Sequence, residues 1–296
     1  LIKTWSSREK ITDSAAGATA FSAGVRTYNG AIAVDDDTVA VETILEAALA
    51  QGMATGVIAT SSITHATPAA FYAHVASRNM HEDIATDLLS TPVDFFAGGG
   101  LQNFVQREDG ADYLAALAEQ TELVETTALP QGPLDANTRY GFLLADNGLP
   151  RILDGRGSFL PDASQLALEH LAQREAGFFL MIESSQIDWG GHANDDAYIK
   201  TEVIDFNETI GRVLDFAEAD GETLVIVTAD HETGGYALSS DGSYAETVGT
   251  FTTGGHTATL VPVFAFGPGA EAFSGVYDNT GIYDRMMTLW PSLGSN

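Results

Sequence analysis

Residues 177–192 read GFFLMIESSQIDWGGH. The first half is a near-continuous apolar run ending on a carboxylate, Glu183, and such runs suit strands covered on both faces of a parallel sheet. Four other runs share this character: 56–61 (GVIATS), 93–97 (VDFFA), 223–229 (TLVIVTA) and 261–267 (VPVFAFG). Amphipathic stretches separate them, and helices are expected over 38–50, 67–77, 111–119, 162–173, 194–218 and 279–289. Segment 194–218 carries Ile199, Val203, Ile204, Phe206, Ile210, Val213, Leu214 and Phe216, a stripe of helical period. The acidic run Asp35-Asp36-Asp37 before Thr38 reads as a helix start, and Gly52 follows that helix's end. Short apolar strands alternating with helices predict an α/β fold with a mostly parallel sheet flanked by helices. Stretches 121–160 and 233–255 are rich in Gly, Thr, Asp and Ser and define no clear element. Neither a repeat nor a linker divides the chain, so residues 1–296 read as one domain.

Open α/β sheets bind ligands at the carboxyl ends of their strands, and there this sequence concentrates unusual polar chemistry. Glu183 is followed by Asp188, Trp189 and His192; TLVIVT is followed by Asp230 and His231; His256 lies in a Gly-flanked loop just before the last apolar run. His and Asp are ligands of catalytic zinc, and flanking glycines let the backbone bring them together. Each signal has a plainer reading: Asp188 as a helix cap, Asp230-His231 as a turn with a solvated imidazole. Glu183 at the end of a buried strand is harder to dismiss, because a buried carboxylate is costly without a partner or a metal. Their coincidence favours a metal site.

Near the start, ITDSAAGATA over 11–20 places Ser14 at the N-terminus of a tightly packed, Ala-rich helix, where unpaired N–H groups favour an anion. Ser14 or Asp13 could equally be a simple cap there. In 64–78, Thr67-Pro68 is a good helix start by itself. Arg78 could partner that helix's dipole or grip a phosphate through two parallel hydrogen bonds.

The composition narrows the field. There are 13 Lys+Arg against 41 Asp+Glu, for a net charge of −28. That balance argues against binding a nucleic-acid backbone or an anionic membrane, and no run of 18 apolar residues suggests a transmembrane helix. With only three lysines, an anionic substrate must be held by few well-placed cations or by metals. The absence of Cys excludes a disulfide framework and thiolate zinc sites.

Taken in order, TDSAAGATA (12–20), THATPAAFYAHVASR (64–78), IESSQIDWGGH (182–192), VTADHETGG (227–235) and GGHTATLVPVFAFGPGAE (254–271) resemble the alkaline phosphatase family. The resemblance implies a three-layer α/β sandwich and a phosphomonoesterase using two Zn2+ and one Mg2+. It implies Ser14 as the nucleophile that becomes a phosphoserine. Asp188, His192 and His256 would be ligands of one zinc, Asp230 and His231 ligands of the second, and Thr67 and Glu183 ligands of magnesium. Arg78 would bind two phosphate oxygens, oriented by Asp13, while His65 and Trp189 fall at neighbouring positions that tune the metal and phosphate contacts. Small phosphate monoesters, a homodimer and a periplasmic or extracellular location follow from the same resemblance. Because protonated His cannot bind zinc, an alkaline optimum is expected.

One family feature is missing. An aspartate in an Asp-Gly motif, carried upstream of the serine by a strand inside the sheet, bridges the second zinc and magnesium in the family. Here only LIKTWSSREKITD precedes Ser14, and its carboxylates are Glu9 and Asp13. A catalytic domain short of its first strand is therefore expected, with open strand edges in the sheet. Alternatives are a noncatalytic zinc- or phosphate-binding fragment, or a phosphodiesterase or sulfatase of the same superfamily; the Asp13–Arg78 pair and the three-metal pattern weigh against the latter two.

Overall fold

The computed structural model describes residues 1–121, 123–239 and 248–293. In chain order its first half comprises β1 (Ile2–Lys3), α1 (Ser14–Ala23), α2 (Ile44–Ala50), β2 (Ala54–Ser62), α3 (Ala66–Ala69), α4 (His81–Ser90), β3 (Phe95–Gly99), α5 (Gln102–Val105), α6 (Tyr113–Gln120), β4 (Leu123–Glu125) and β5 (Tyr140–Leu143). The second half comprises α7 (Phe159–Leu171), β6 (Phe178–Glu183), α8 (Gln186–His192), α9 (Asp196–Asp220), β7 (Val225–Val227), β8 (Glu232–Thr233), β9 (Ala237–Leu238), β10 (Gly249–Thr250), β11 (His256–Thr257), β12 (Phe264–Phe266), β13 (Tyr277–Asp278) and α10 (Gly281–Leu293).

The central sheet has the order β4-β5-β3-β2-β6, and all its pairs are parallel. Alternation along the strands builds two cores. Val57, Phe96 and Met181 pack with Ile44 and Leu45 of α2 and Ile84 of α4. Ile58, Phe95 and Phe142 pack with Leu160, Ala163 and Ala167 of α7. Full burial of each large apolar side chain contributes about 1.5–3 kcal/mol, and the result is helices on both faces of a sheet, the three-layer α/β fold expected. No helix among the described residues is long and apolar enough to cross a membrane.

The sheet stops at β6, whose far edge pairs with no strand among the described residues. Among the described residues β7 pairs only with β12, antiparallel, through Val227↔Phe264, Ala265↔Ile226 and Phe266↔Val225. Between β6 and β7 lies a cleft of about 1610 Å³, walled by both strands, by Phe206 and Ile210 of α9 and by Met286 of α10. Its inner end reaches Ser14, Glu183, Asp188 and His231.

Three expectations need correction. The helix expected over 38–50 begins only at Ile44: Asp35 Oδ1 accepts from the N–H groups of Asp37 and Val39, each at 2.9 Å, closing a turn instead. Thr43 and Glu46 then form a reciprocal capping box that starts the helix. The helix expected over 67–77 shrinks to α3, because the His74 N–H donates to Asp87 Oδ2 and Val75 bridges to Ile32. Arg78 therefore ends no helix; its N–H donates to the Gly30 carbonyl. The run 261–267 yields only β12, and it is not covered on both faces, since Phe264 is 65% and Phe266 43% exposed. The stretches that defined no element hold β4, β5, β9, β10 and the end of β8; 240–247 lie outside the described residues.

Candidate active site

β2 and β6, which end at the site, run parallel, and the segments that follow β2, β6 and β7 supply polar groups. Ser14 is the first residue of α1, a helix buried along its whole length because Ala, Gly, Ser and Thr let it pack closely. Gly17 is required by that packing: a Cβ there would lie 2.9 Å from Asp230 Cβ. Asp13 is the cap, and its two oxygens divide the work. Oδ1 accepts from the Ala16 N–H at 3.0 Å, while Oδ2 accepts from the Gly30 N–H and from Arg78 Nη1, each at 3.0 Å. The capping reading and the arginine-orienting reading are thus both true. Arg78 Nη2 also donates to His65 Nε2 at 3.3 Å.

The histidines and aspartates converge beside Ser14. His192 Nδ1–H donates to the Gly254 carbonyl and His256 Nδ1–H to the Thr12 carbonyl, each at 2.8 Å. In neutral imidazoles this leaves both Nε2 atoms as acceptors, yet they face one another at 3.1 Å. Two facing lone pairs need a cation between or beside them. Asp188 Oδ1 lies 3.5 Å from His192 Nε2 and 3.6 Å from His256 Nε2. His231 stacks on His256 with ring centroids 3.5 Å apart, and ligand atoms of Asp188, His231 and His256 all fall within 4.8 Å of one another. His231 Nε2 is 3.1 Å from Ser14 Oγ and 3.1 Å from Asp230 Oδ2.

Charge and burial couple the same groups. Burial works against ionisation of Asp230, but the adjoining His231 outweighs it and holds the carboxyl far below its usual range. Burial likewise disfavours charge on His231, and Asp230 overrides that and raises its pKa. Glu183, at the end of β6, is pushed up to about 7 by desolvation, against the opposing hydrogen bonds of Ser185 and Thr67, with Asp230 and Asp188 adding repulsion. Carboxylates held this close without a counter-ion lower one another's tendency to ionise. His65 is pulled down to about 4 by burial and by the Arg78 charge, and its Nδ1 has no hydrogen-bond partner.

The structure therefore brings together Asp13, Ser14 and Arg78; Asp188, His192 and His256; Asp230 and His231; and Thr67 with Glu183. His65 and Trp189 meet edge to face at 6.0 Å between ring centroids, next to Arg78 rather than inside the imidazole cluster. Sequence reasoning missed Ser61 and Ser185, whose hydroxyls lie 3.4 and 2.5 Å from Glu183 Oε2. It also missed Thr233, which donates to Asp188 Oδ1. For Ser185 the signal was present, a hydroxyl two residues past the strand-end carboxylate; for Ser61 only strand pairing reveals it. The donor set, imidazole nitrogens plus carboxylates at one place and oxygens alone around Glu183, suits zinc and magnesium respectively.

The profile of the family Alkaline phosphatase matches residues 1–250. Alkaline phosphatase 3 of Bacillus subtilis (strain 168) is 34% identical over 93% of this chain and 76% of its own length. Against Alkaline phosphatase 4 of the same organism, identity is 35% over 78% of this chain, which spans about half (51%) of that relative. Among solved structures, alkaline phosphatase from the Antarctic bacterium TAB5 is similar at a TM-score of 0.93 and 50% identity, covering 98% of this chain and 87% of that one. A histidine-to-aspartate variant of that protein has Mg bound in its M3 site. Motif order, fold and these similarities agree, and the chain belongs to the alkaline phosphatase family.

Proposed function

We propose that this chain hydrolyses phosphate monoesters by passing the phosphoryl group first to Ser14 and then to water. The observation that carries this reading is the placement of Ser14 Oγ: at the start of a buried helix, 3.1 Å from His231 Nε2 and beside the Asp13–Arg78 pair. In the first step Ser14 Oγ forms a bond to phosphorus, the bond from phosphorus to the ester oxygen breaks, and the alcohol leaves with a proton. In the second step water replaces Ser14 Oγ and inorganic phosphate departs. The Arg78 guanidinium has five N–H donors; Asp13 and His65 fix its plane and leave the rest of the fork to grip the phosphate. The α1 N-terminus favours the charge that builds near Ser14.

Asp188, His192 and His256 would hold one zinc, Asp230 and His231 a second, and Thr67 with Glu183 a magnesium. When bound, such a group lowers the pKa of alcohols and water and neutralises charge on the transferring phosphoryl. His192, His231 and His256 must be deprotonated at Nε2 to serve as ligands, which places activity in the alkaline range. Residues 1–296 form one catalytic domain in this reading. A homodimer and a periplasmic or extracellular location rest on the family resemblance, and light scattering on a sizing column tests the first. With a net charge of −28, nucleic-acid or anionic-membrane binding is not expected.

The test is Ser14→Ala in zinc- and magnesium-loaded protein with p-nitrophenyl phosphate, together with acid-quenched labelling by a 32P-phosphate donor. Loss of turnover and of covalent label supports the reading. Unchanged turnover removes Ser14 as the nucleophile.

A further inference from the structure

Thr233 stands between the two halves of the site, and the reading above leaves it without a role. Its hydroxyl donates to Asp188 Oδ1 at 2.5 Å and lies 3.1 Å from His231 Nδ1. A hydroxyl has one proton. Two oxygens 2.5 Å apart need that proton between them, and the carboxylate has none of its own to offer when ionised. The Thr233 oxygen is therefore left as an acceptor, so His231 Nδ1 must carry the hydrogen that joins them. The chain runs His231 Nδ1–H to Thr233 Oγ1–H to Asp188.

The side chain is held in that pose from two sides. Its backbone belongs to β8, where Thr233 is in register with His256 of β11. A Cβ built on Gly191, in α8 between Asp188 and His192, would lie 2.9 Å from both Thr233 Cβ and Cγ2, so the glycine leaves the room that the threonine methyl fills. Asp188 on α8 and His231 ahead of β8 come from distant parts of the chain, and one hydroxyl ties them.

We infer that Thr233 is a positioning residue that couples the two metal-ligating groups, orienting Asp188 while keeping His231 Nε2 directed at Ser14. The inference rests on the assignment of Asp188 and His231 as metal ligands, and it does not depend on the fate of Ser14. Partners one step behind a ligand typically change metal affinity 10–100-fold when removed.

The test uses the full chain as wild type, Thr233→Val and Thr233→Ser. Zinc binding is followed by competitive titration with a chromophoric chelator, and the protonation of His231 Nδ1 by long-range 15N–1H correlation in the zinc-loaded protein. There Nε2 would be held by the metal, and the expected result is a proton on Nδ1 in the wild type and in Thr233→Ser. Thr233→Val should lose about 10-fold or more in affinity for both zinc ions together, and Thr233→Ser should restore it. A bare His231 Nδ1 in the wild type overturns the inference, even should Thr233→Val fail to fold. So does a Thr233→Val protein that binds zinc as the wild type does. A coupled zinc and tautomer response in a protein whose Ser14→Ala variant still hydrolyses the ester would leave Thr233 in its role and refute the serine mechanism alone.

Discussion

Asp13 Oδ2 accepts from Arg78 Nη1 at 3.0 Å while the other oxygen of the same carboxylate caps α1 through the Ala16 N–H. One side chain thereby ties the orientation of Arg78, proposed above to grip the phosphate, to the helix that begins at Ser14. The two roles separate by substitution. Asp13→Asn retains an oxygen for the cap and weakens the ion pair, so phosphate affinity should drop about 10-fold with little change in Tm. Asp13→Ala also removes the cap, worth about 1 kcal/mol, and Tm should fall by roughly 2 °C more. Thermal melts and product inhibition by phosphate measure both; equal Tm values for the two variants would show that the cap contributes nothing.

Gly17 is the point where α1 approaches Asp230, proposed above as a metal ligand. Alanine is the better helix former by about 1 kcal/mol, yet its Cβ would stand 2.9 Å from Asp230 Cβ and 3.3 Å from the Asp230 carbonyl oxygen. Gly17→Ala should keep Tm within a few degrees and lower kcat/KM at least 10-fold if Asp230 has the role proposed above, because the displacement falls directly on that side chain. Wild-type kcat/KM in that variant would contradict the close approach.

The segment leading to Arg78 is clipped by His74, whose Nε2 lies 2.9 Å from Glu46 Oε1 and whose backbone N–H donates to Asp87. The hydrogen bond to Glu46 is the main cause that raises the His74 pKa above 6.5, against burial. Burial opposes ionisation of Glu46, but the His74 and Thr43 hydrogen bonds prevail and its pKa falls below 4.5. The raised histidine contributes stability that is full below pH 6.5 and is lost as pH climbs through its folded value. The depressed glutamate contributes stability that is full above pH 4.5 and is lost on acidification through its folded value. Metal-free protein should therefore show a maximum contribution from this pair between about pH 4.5 and 6.5, falling on the alkaline side. Glu46→Gln should flatten that alkaline decline in a series of melts from pH 5 to 9.

Chelation probes the facing imidazoles of His192 and His256. Treatment with EDTA should abolish ester hydrolysis and lower Tm, since a ligand present at 100 times its Kd adds about 2.7 kcal/mol to stability. Zinc with magnesium should restore both, and elemental analysis should count at least one zinc per chain. Full turnover in protein with less than one zinc per chain would refute the metal assignment.

The exposed flank of β6 makes a prediction about dynamics. Amides of β2 are bonded between β3 and β6, whereas among the described residues β6 is bonded on the β2 side only. Hydrogen exchange should be faster in peptides covering 178–183 than in those covering 54–62, because unpaired edge amides exchange without an opening step. Equal protection would show that β6 has a partner on its free side in solution.

The apolar run ending at Glu183, the stripe on α9 and the Ala-rich start of α1 were legible in the sequence because periodicity and small-residue packing are local properties. The groups that converge beside Ser14 were legible as candidates too, since their motifs are long and stand in the family's order. What the sequence determined by itself is thus the α/β class and the roster of chemical groups. Tertiary structure decided how those groups are shared: that Asp13 caps and orients at once, that Thr233 joins Asp188 to His231, that α3 stops where His74 turns to Asp87, and that β7 pairs with β12 instead of β6. Each of these turns on a hydrogen bond between groups far apart in the chain, and no local pattern records which distant acceptor a donor will meet.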